Sequence, residues 1–283
     1  MSENKYTTGK VILAAAGPGD PDLITVKTMR YLQQAEVVLT DRLVSHEILD
    51  RYVNPAAEVI YVGKQCRKGN STPQETINEL MVKHAEAGKL VIRLKGGDVS
   101  VFSNILDELH TLAHHQIPYE IVPGVSAALG AAAYSGIPLT ARGHSTAVRF
   151  LTYYKSEIVP DQYWQELAST SDTLVFYMSA ETVEGIISKL TRYGIAPEKH
   201  IAVVEQATTP MQKVYATGIY EFTGRFGGMS FVSPSLVIVG TVVQLHKEFG
   251  WVEDSETREQ YFKPMATLGN NTNHNQKRNV SRA

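Results

Sequence analysis

Four short segments carry residue types and spacings that chemistry can use: Gly17-Pro18-Gly19-Asp20, Asp41-Arg42, Val62-Gly63-Lys64 and Lys95-Gly96-Gly97-Asp98. The last is the most informative. Two glycines after a buried apolar run let a ligand approach the backbone closely, and the Asp98 carboxylate offers acceptors to an amine or a ribose hydroxyl. The first is weaker, because a turn between strand and helix often needs glycine for steric reasons alone. It lacks the Gly-Lys-Ser/Thr ending of a P-loop, and Asp22 stands where a dinucleotide fingerprint has its third glycine, which disfavours phosphate cradling. Asp41, Arg42 and Lys64 are each ordinary loop charges taken singly. On a common rim they form a proton-handling or carboxylate-binding group. Asp107 and Glu108 are neighbours, and adjacent helical side chains point about 100° apart, so at most one of them faces a cleft. The nine histidines show no metal spacing, and Cys66, the one cysteine, reads as an inert thiol, so no metal is expected. Tyr153-Tyr154 and Tyr163-Trp164 read as core and edge aromatics, not as a stacking platform for bases.

The elements that must position these segments alternate. VILAAAG after Lys10 reads as a buried strand, and PDLITVKTMRYLQQA as one helix with Leu23, Val26, Met29 and Leu32 on its apolar face, Asp20 as its cap and Pro21 at its first position. EVVLTD and AEVIYVG read as strands. Thr72-Pro73-Gln74-Glu75 reads as a capping box opening a helix that stops near Gly88, and LVIRLK is a further strand. Such alternation indicates a parallel, doubly wound sheet whose ligand sites lie beyond the carboxyl ends of its strands, where all four segments fall. A helix around Asn104 to His114, a strand in YEIVPG and the small-residue run SAALGAAAYSG precede a linker across Leu139 to Thr146. VRFLTYY, TLVFYMS, IAVVEQ, KVYATG and SLVIVG then read as strands, with helices at Gln162 to Leu167 and Glu181 to Tyr193, which implies a mixed sheet. The expected fold class is α/β, with an N-terminal domain at 8–143, a C-terminal domain at 147–247, a cleft between them, and a polar, disordered tail at 253–283.

Composition narrows the partners. The chain has 283 residues with 27 Lys plus Arg against 29 Asp plus Glu, and a formal charge of −2 supplies no field for a nucleic-acid backbone. No apolar run approaches the roughly 18 residues of a membrane span, and MSENKYTTGK lacks a signal peptide's apolar region. A cytoplasmic protein with neither nucleic-acid nor membrane partners is expected, and the sequons at Asn270 and Asn279 read as chance matches.

Taken together, GPGDPDLITVKTMRYLQQAEVVLTDRLVS, VGK, IRLKGGD, VPGVSAALGAAAYSGIPLTARG, LVFYM, VVEQAT and SPSLVIVG resemble the uroporphyrinogen-III C-methyltransferases, within the tetrapyrrole (precorrin) methylases. The resemblance runs in order from about Lys10 to Leu245. It implies two α/β domains holding S-adenosyl-L-methionine in the cleft between them, usually in a homodimer. It also implies methylation of uroporphyrinogen III at C2 and C7, giving precorrin-2 for sirohaem or cobalamin. By the same resemblance Pro18, Gly96, Gly97, Asp98, Val101, Ser126, Ala127, Met178 and Ala207 line the donor site. Asp41 and Lys64 match the family's proton acceptor and donor, Arg142 matches a basic residue near the substrate, and Asp107 stands where a glutamate is usual. Arg42, Lys64, Arg93, Lys95 and Arg142 are candidate partners for the substrate's carboxylates.

The departures fall on the substrate side. After Gly-Gly-Asp the family usually continues with a segment resembling PFIFGRGGEE, whereas this chain keeps Phe102 but has Asn104 in place of the arginine. Leu139-Thr140-Ala141-Arg142-Gly143 replaces the usual PLTHRD pattern, losing a histidine and an acid. Ala15 and Gln206-Ala207 replace a glycine and an Asn-Gly, changes compatible with donor binding. These departures keep two alternatives open, a methylase of another precorrin and an S-adenosylmethionine-binding protein with impaired catalysis. A nicotinamide-dependent oxidoreductase, suggested only by the glycine-rich first turn, is more distant.

Overall fold

The computed structural model of the chain describes residues 9–63, 72–153 and 160–262. In chain order its elements begin β1 (Lys10–Ala15), α1 (Val26–Gln34), β2 (Val37–Thr40), α2 (His46–Tyr52), β3 (Glu58–Tyr61) and α3 (Gln74–Glu86). They continue β4 (Leu90–Lys95), α4 (Ile105–His114), β5 (Tyr119–Val122) and α5 (Ala127–Tyr134). The remainder are β6 (Val148–Thr152), α6 (Asp161–Ser169), β7 (Thr173–Tyr177), α7 (Val183–Arg192), β8 (His200–Glu205), β9 (Lys213–Gly218), α8 (Phe222–Phe226), β10 (Ser235–Gly240) and α9 (His246–Phe249).

The first five strands form a wholly parallel sheet in the order β3-β2-β4-β1-β5. Alternate residues of its central strands face opposite layers, as the two-residue period of a strand requires. Val11, Leu13, Val37, Leu39 and Val91 pack with Ile77 and Met81 of α3 and Leu112 of α4, whereas Ile12, Ala14, Val38 and Ile92 pack with Leu32 of α1 and Ile48 of α2. At the centre, β1 leads on toward β2 and its neighbour β4 leads on toward β5, in opposite directions. Such divergence opens a crevice at the carboxyl ends of the strands.

The second sheet has the order β6-β7-β10-β8-β9, with only β6 and β7 parallel. One of its faces is covered by α6, α7 and α8 through Trp164, Ile186, Leu190 and Phe222. The other buries Ala128, Ala131 and Ala132 of α5 beside Val175, Ala202 and Ile238. The small-residue run is thus a helix that reaches from the first sheet to cover the second, and its alanines permit close approach.

Three expectations need correction. The helix expected from Pro21 is broken: Asp20 caps only a 3₁₀ turn at Pro21–Leu23, and α1 restarts at Val26 behind Thr25, whose side chain accepts from Thr28 N. Thr25 offers the backbone a local partner in an extended conformation, and this wins over helix continuation; Val26 consequently faces solvent. No capping box forms at α3, where Pro73 itself is the N-cap residue and supplies no side-chain bond. The tail is packed as far as it is described: Asp254 accepts from Val214 N, Arg258 pairs with Glu205, and Phe262 is buried. Polar composition concealed these few anchoring groups. The helix α2 between β2 and β3 was not foreseen either.

Candidate active site at the strand ends

The GPGD and KGGD turns meet at the crevice. Gly97 N donates to Gly17 O at 2.7 Å and Gly17 N returns a bond to Gly97 O at 3.1 Å. Both residues have positive φ, 81° at Gly17 and 71° at Gly97, which is why glycine is needed at each. A Cβ at Gly96 would lie 2.7 Å from the Leu43 carbonyl oxygen, so the Asp41–Leu43 turn rests directly on this backbone. Pro18 lies against α5, where a Cβ at Gly130 would come within 2.6 Å of Pro18 Cγ. Asp20 N donates to Thr208 Oγ1 at 3.1 Å, bringing in the loop after β8.

Asp98 ties these loops together from within. Its Oδ2 accepts from Gly124 N and its Oδ1 from Ser100 N, both at 2.8 Å. Burial works to raise its pKa, but hydrogen bonds from the Ser100 hydroxyl and from the Gly124, Ser100 and Val99 amides prevail and hold the carboxyl below its usual range. Ser126 Oγ lies 2.6 Å from Tyr177 OH, which also accepts from Ala128 N at 3.1 Å. Tyr177 thereby satisfies a first-turn amide of α5 that has no partner within the helix. Burial raises its phenol pKa. Phe102 stands 5.0 Å from the Tyr177 ring, and Val101, Ala127 and Ala207 pack on the same cluster under the second sheet.

Backbone strain concentrates here. Phe102 and Asn104 after β4, Met178 after β7, and Gln206 and Thr208 after β8 all have positive φ, between 45° and 64°. Non-glycine residues in this region are costly and persist only where surrounding structure holds them, commonly at ligand sites. Met178 is 56% exposed and Phe102 45%, so two large apolar side chains stand open beside the glycine turns. The space before Gly97 is open too: the nearest atom to a Cβ placed there is Ala127 N, at 3.7 Å. Small residues, helix-start amides and exposed apolar side chains suit a nucleoside thioether or sulfonium held mainly through backbone contacts.

The expected charged residues separate into groups. Asp41 is partly buried, with Oδ1 accepting from Leu43 N at 3.1 Å, which leaves Oδ2 without a hydrogen bond among the described residues. Lys64 and Cys66 lie outside the described residues. Arg93 and Lys95 are not substrate partners: both are buried on β4 and share Glu108, with Arg93 Nε to Oε1 and Lys95 Nζ to Oε2 each 2.9 Å. Burial, and then the Arg93 charge, push the Lys95 pKa down. Of the two adjacent acids, Glu108 therefore points inward and Asp107 faces solvent, where its Oδ2 accepts from Asn104 Nδ2 at 3.3 Å. Arg142 is exposed in the turn that pairs Ala141 with Ser145. No hydrogen bond or ion pair among the described residues joins Asp107 or Arg142 to the glycine turns. Tyr177 and Tyr134 carry no local sequence signal, because their partners Ser126, Ala128 and Asp20 lie far away in the chain. Tyr134 OH donates to Asp20 Oδ2 at 2.5 Å, and burial together with that bond raises its pKa to about 12.

Residues 10–223 match the family described as Tetrapyrrole (Corrin/Porphyrin) Methylases. A protein of Saccharophagus degradans named siroheme synthase is 45% identical over 244 residues, which are 86% of this chain and 53% of that one. The chain spans about half the length of the curated relatives it matches. Among solved structures, uroporphyrin-III C-methyltransferase from Thermus thermophilus, complexed with S-adenosyl homocysteine, is 36% identical with a TM-score of 0.70, covering 84% of this chain and 100% of that one. A cobalt precorrin-4 methyltransferase of cobalamin biosynthesis is 28% identical with a TM-score of 0.73, covering 83% and 95%. No helix among the described residues is long and apolar enough to cross a membrane.

Proposed function

The chain belongs to the tetrapyrrole methylase family, and from that premise we propose that it transfers methyl groups from S-adenosyl-L-methionine to C2 and C7 of uroporphyrinogen III, forming precorrin-2. The observation that carries the reading is the meeting of Gly17 and Gly97 at the crevice, with open space before Gly97 and the start of α5 beyond it. Gly96, Gly97, Ser126, Ala127 and Ala207 would hold the donor largely through backbone, with Pro18, Val101 and Met178 as apolar walls and Asp98 fixing the loops.

The donor supplies a methyl group already activated on a sulfonium, and the acceptor is an electron-rich pyrrole carbon. Side chains therefore have little bond-making to do, and positioning in a water-poor site dominates, worth about 7–11 kcal/mol at its upper end. Asp41 would take the ring proton through Oδ2, its Oδ1 being engaged by Leu43 N. Arg142 and Lys64 would meet substrate carboxylates, and Lys64 would return a proton. Asp107, which stands where the family has a glutamate, is less suited to a catalytic role than Asp41, Lys64 or Arg142, because its carboxylate is engaged with Asn104 at the solvent-facing start of α4. The two-unit division at 8–143 and 147–247, a homodimer and a cytoplasmic location go with this reading. The neutral, left-handed Asn104 favours a second reading, a methylase acting on another precorrin.

Anaerobic incubation with S-adenosylmethionine and freshly reduced uroporphyrinogen III, followed by tetrapyrrole mass, tests the proposal. Gain of two methyl groups is expected. Donor binding without methylation of uroporphyrinogen III, but with methylation of a later precorrin, selects the second reading. Donor binding with no turnover on any reduced tetrapyrrole points to impaired catalysis.

A further inference from the structure

The segment from Trp251 to Phe262 crosses from one sheet to the other. Asp254 Oδ1 accepts from Val214 N at 2.8 Å and Ser255 N donates to Gln212 O at 2.9 Å, which lays the segment beside β9. Arg258 Nη2 then lies 3.0 Å from Oε1 of the buried Glu205. Next, the Gln206 amide is clamped on both sides: Nε2 donates to Glu259 O at 2.8 Å, and Oε1 accepts from Tyr261 N at 2.7 Å. Finally Tyr261 OH reaches Ser45 Oγ at 2.7 Å and Glu47 Oε1 at 3.1 Å.

Ser45 is the N-cap residue of α2, a place where serine normally bonds its own helix, yet it makes no side-chain cap bond. Its hydroxyl meets Tyr261 instead. With that bond the loops close into a circuit. Leu43 lies on Gly96, Gly97 pairs with Gly17, Asp20 bonds Thr208, Gln206 is clamped to Tyr261, and Tyr261 returns to Ser45.

We propose that Tyr261 is a positioning residue, which through Ser45 and Gln206 fixes the Asp41 turn relative to the Gln206–Thr208 loop so that proton acceptor and donor loop keep one separation during methyl transfer. This rests on the roles given above to Asp41 and Ala207. Loss of the hydroxyl leaves the Gln206 clamp intact, since that bond uses the Tyr261 backbone.

Tyr261→Phe and, from the other end of the same bond, Ser45→Ala are therefore expected to lower kcat about tenfold, within the range that misplacement of reacting groups produces, with S-adenosylhomocysteine affinity changed less than about twofold. Amide hydrogen exchange at residues 41–48 of the ligand-free protein is expected to quicken in both variants. In the wild type, S-adenosylhomocysteine is expected to slow exchange in that segment, and Tyr261→Phe to abolish this response. Unchanged exchange overturns the proposal whatever the activity. Quickened exchange with unchanged kcat overturns it also, leaving Tyr261 a purely structural contact. If the wild type methylates no reduced tetrapyrrole, the functional reading fails separately, and retention of the ligand response in Tyr261→Phe then overturns the positioning role of Tyr261 on its own.

Discussion

Lys95 Nζ lies 2.9 Å from Glu108 Oε2 while Arg93 Nε lies 2.9 Å from the other oxygen of the same carboxylate. One acid on α4 thus pairs with two cations on β4, immediately beneath the Gly96-Gly97 turn. Arg93 Nη1 also donates to Leu39 O and Leu94 O.

Removing the acid from such a buried triad strands two desolvated cations. Glu108→Ala is expected to destabilise the protein by about 3–5 kcal/mol, and Glu108→Gln by less because the amide still accepts hydrogen bonds. Urea unfolding measures both; a loss under about 1 kcal/mol in Glu108→Ala would show that the cations find water.

The triad also marks where sequence reading stops. The parallel sheet was legible because the buried runs at Val11–Ala15, Val37–Thr40 and Leu90–Lys95 alternate with helical spacing, and the crevice followed from the strand ends. Gly17 and Gly97 were legible as turn residues. Arg93 and Lys95 read as substrate partners because a charge on a strand near a ligand loop gives no sign of an inward partner thirteen or fifteen residues on. Only the side-chain geometry shows Glu108 turned in and Asp107 turned out. Tyr177, Ser45 and Tyr261 were hidden for a related reason: each acts through a bond across 51 or more residues, which no local pattern encodes.

Gly97→Ala separates donor binding from folding. The added methyl meets nothing closer than Ala127 N at 3.7 Å, so no clash arises, but φ of 71° suits alanine poorly. The strain should destabilise the fold by about 1 kcal/mol. The methyl projects into the space assigned to the donor, so S-adenosylhomocysteine affinity is expected to fall at least about tenfold, a loss near 1.4 kcal/mol. Calorimetric titration beside a thermal melt reads the two effects. Equal affinity in the variant would move the donor away from Gly97.

Asp41→Asn and Arg142→Ala address the substrate side. Neither residue is proposed to touch the donor, so donor affinity should stay nearly unchanged in both variants, while Asp41→Asn should depress kcat by about 100-fold or more as loss of a general base does. Arg142→Ala should raise KM for the tetrapyrrole above all. Steady-state kinetics with each substrate varied checks the split, and unchanged rates in both variants would mean that the rim has been misplaced.

Acid stability tests how β5 is fastened. Glu120 on β5 accepts from Lys10 of β1 and from Tyr31 of α1, and pairs with Lys27 at 2.5 Å. The hydrogen bonds from Lys10, Lys27 and Tyr31 lower its pKa from 4.5 to about 2. A carboxyl titrating lower in the folded than in the unfolded state adds stability above its unfolded pKa, and loses it as pH falls through its folded one. The window is therefore pH 4.5 down to about 2. Because the cluster is partly solvated, its contribution at neutral pH should be only about 1 kcal/mol. Glu120→Gln removes the titrating group, so the gap in urea midpoint between wild type and variant should be widest above pH 4.5 and close as pH approaches 2. A gap that stays constant across that window would mean that the carboxyl is not held in the folded state by Lys10 and Lys27, and that the edge strand is fastened by its backbone pairing to β1 alone.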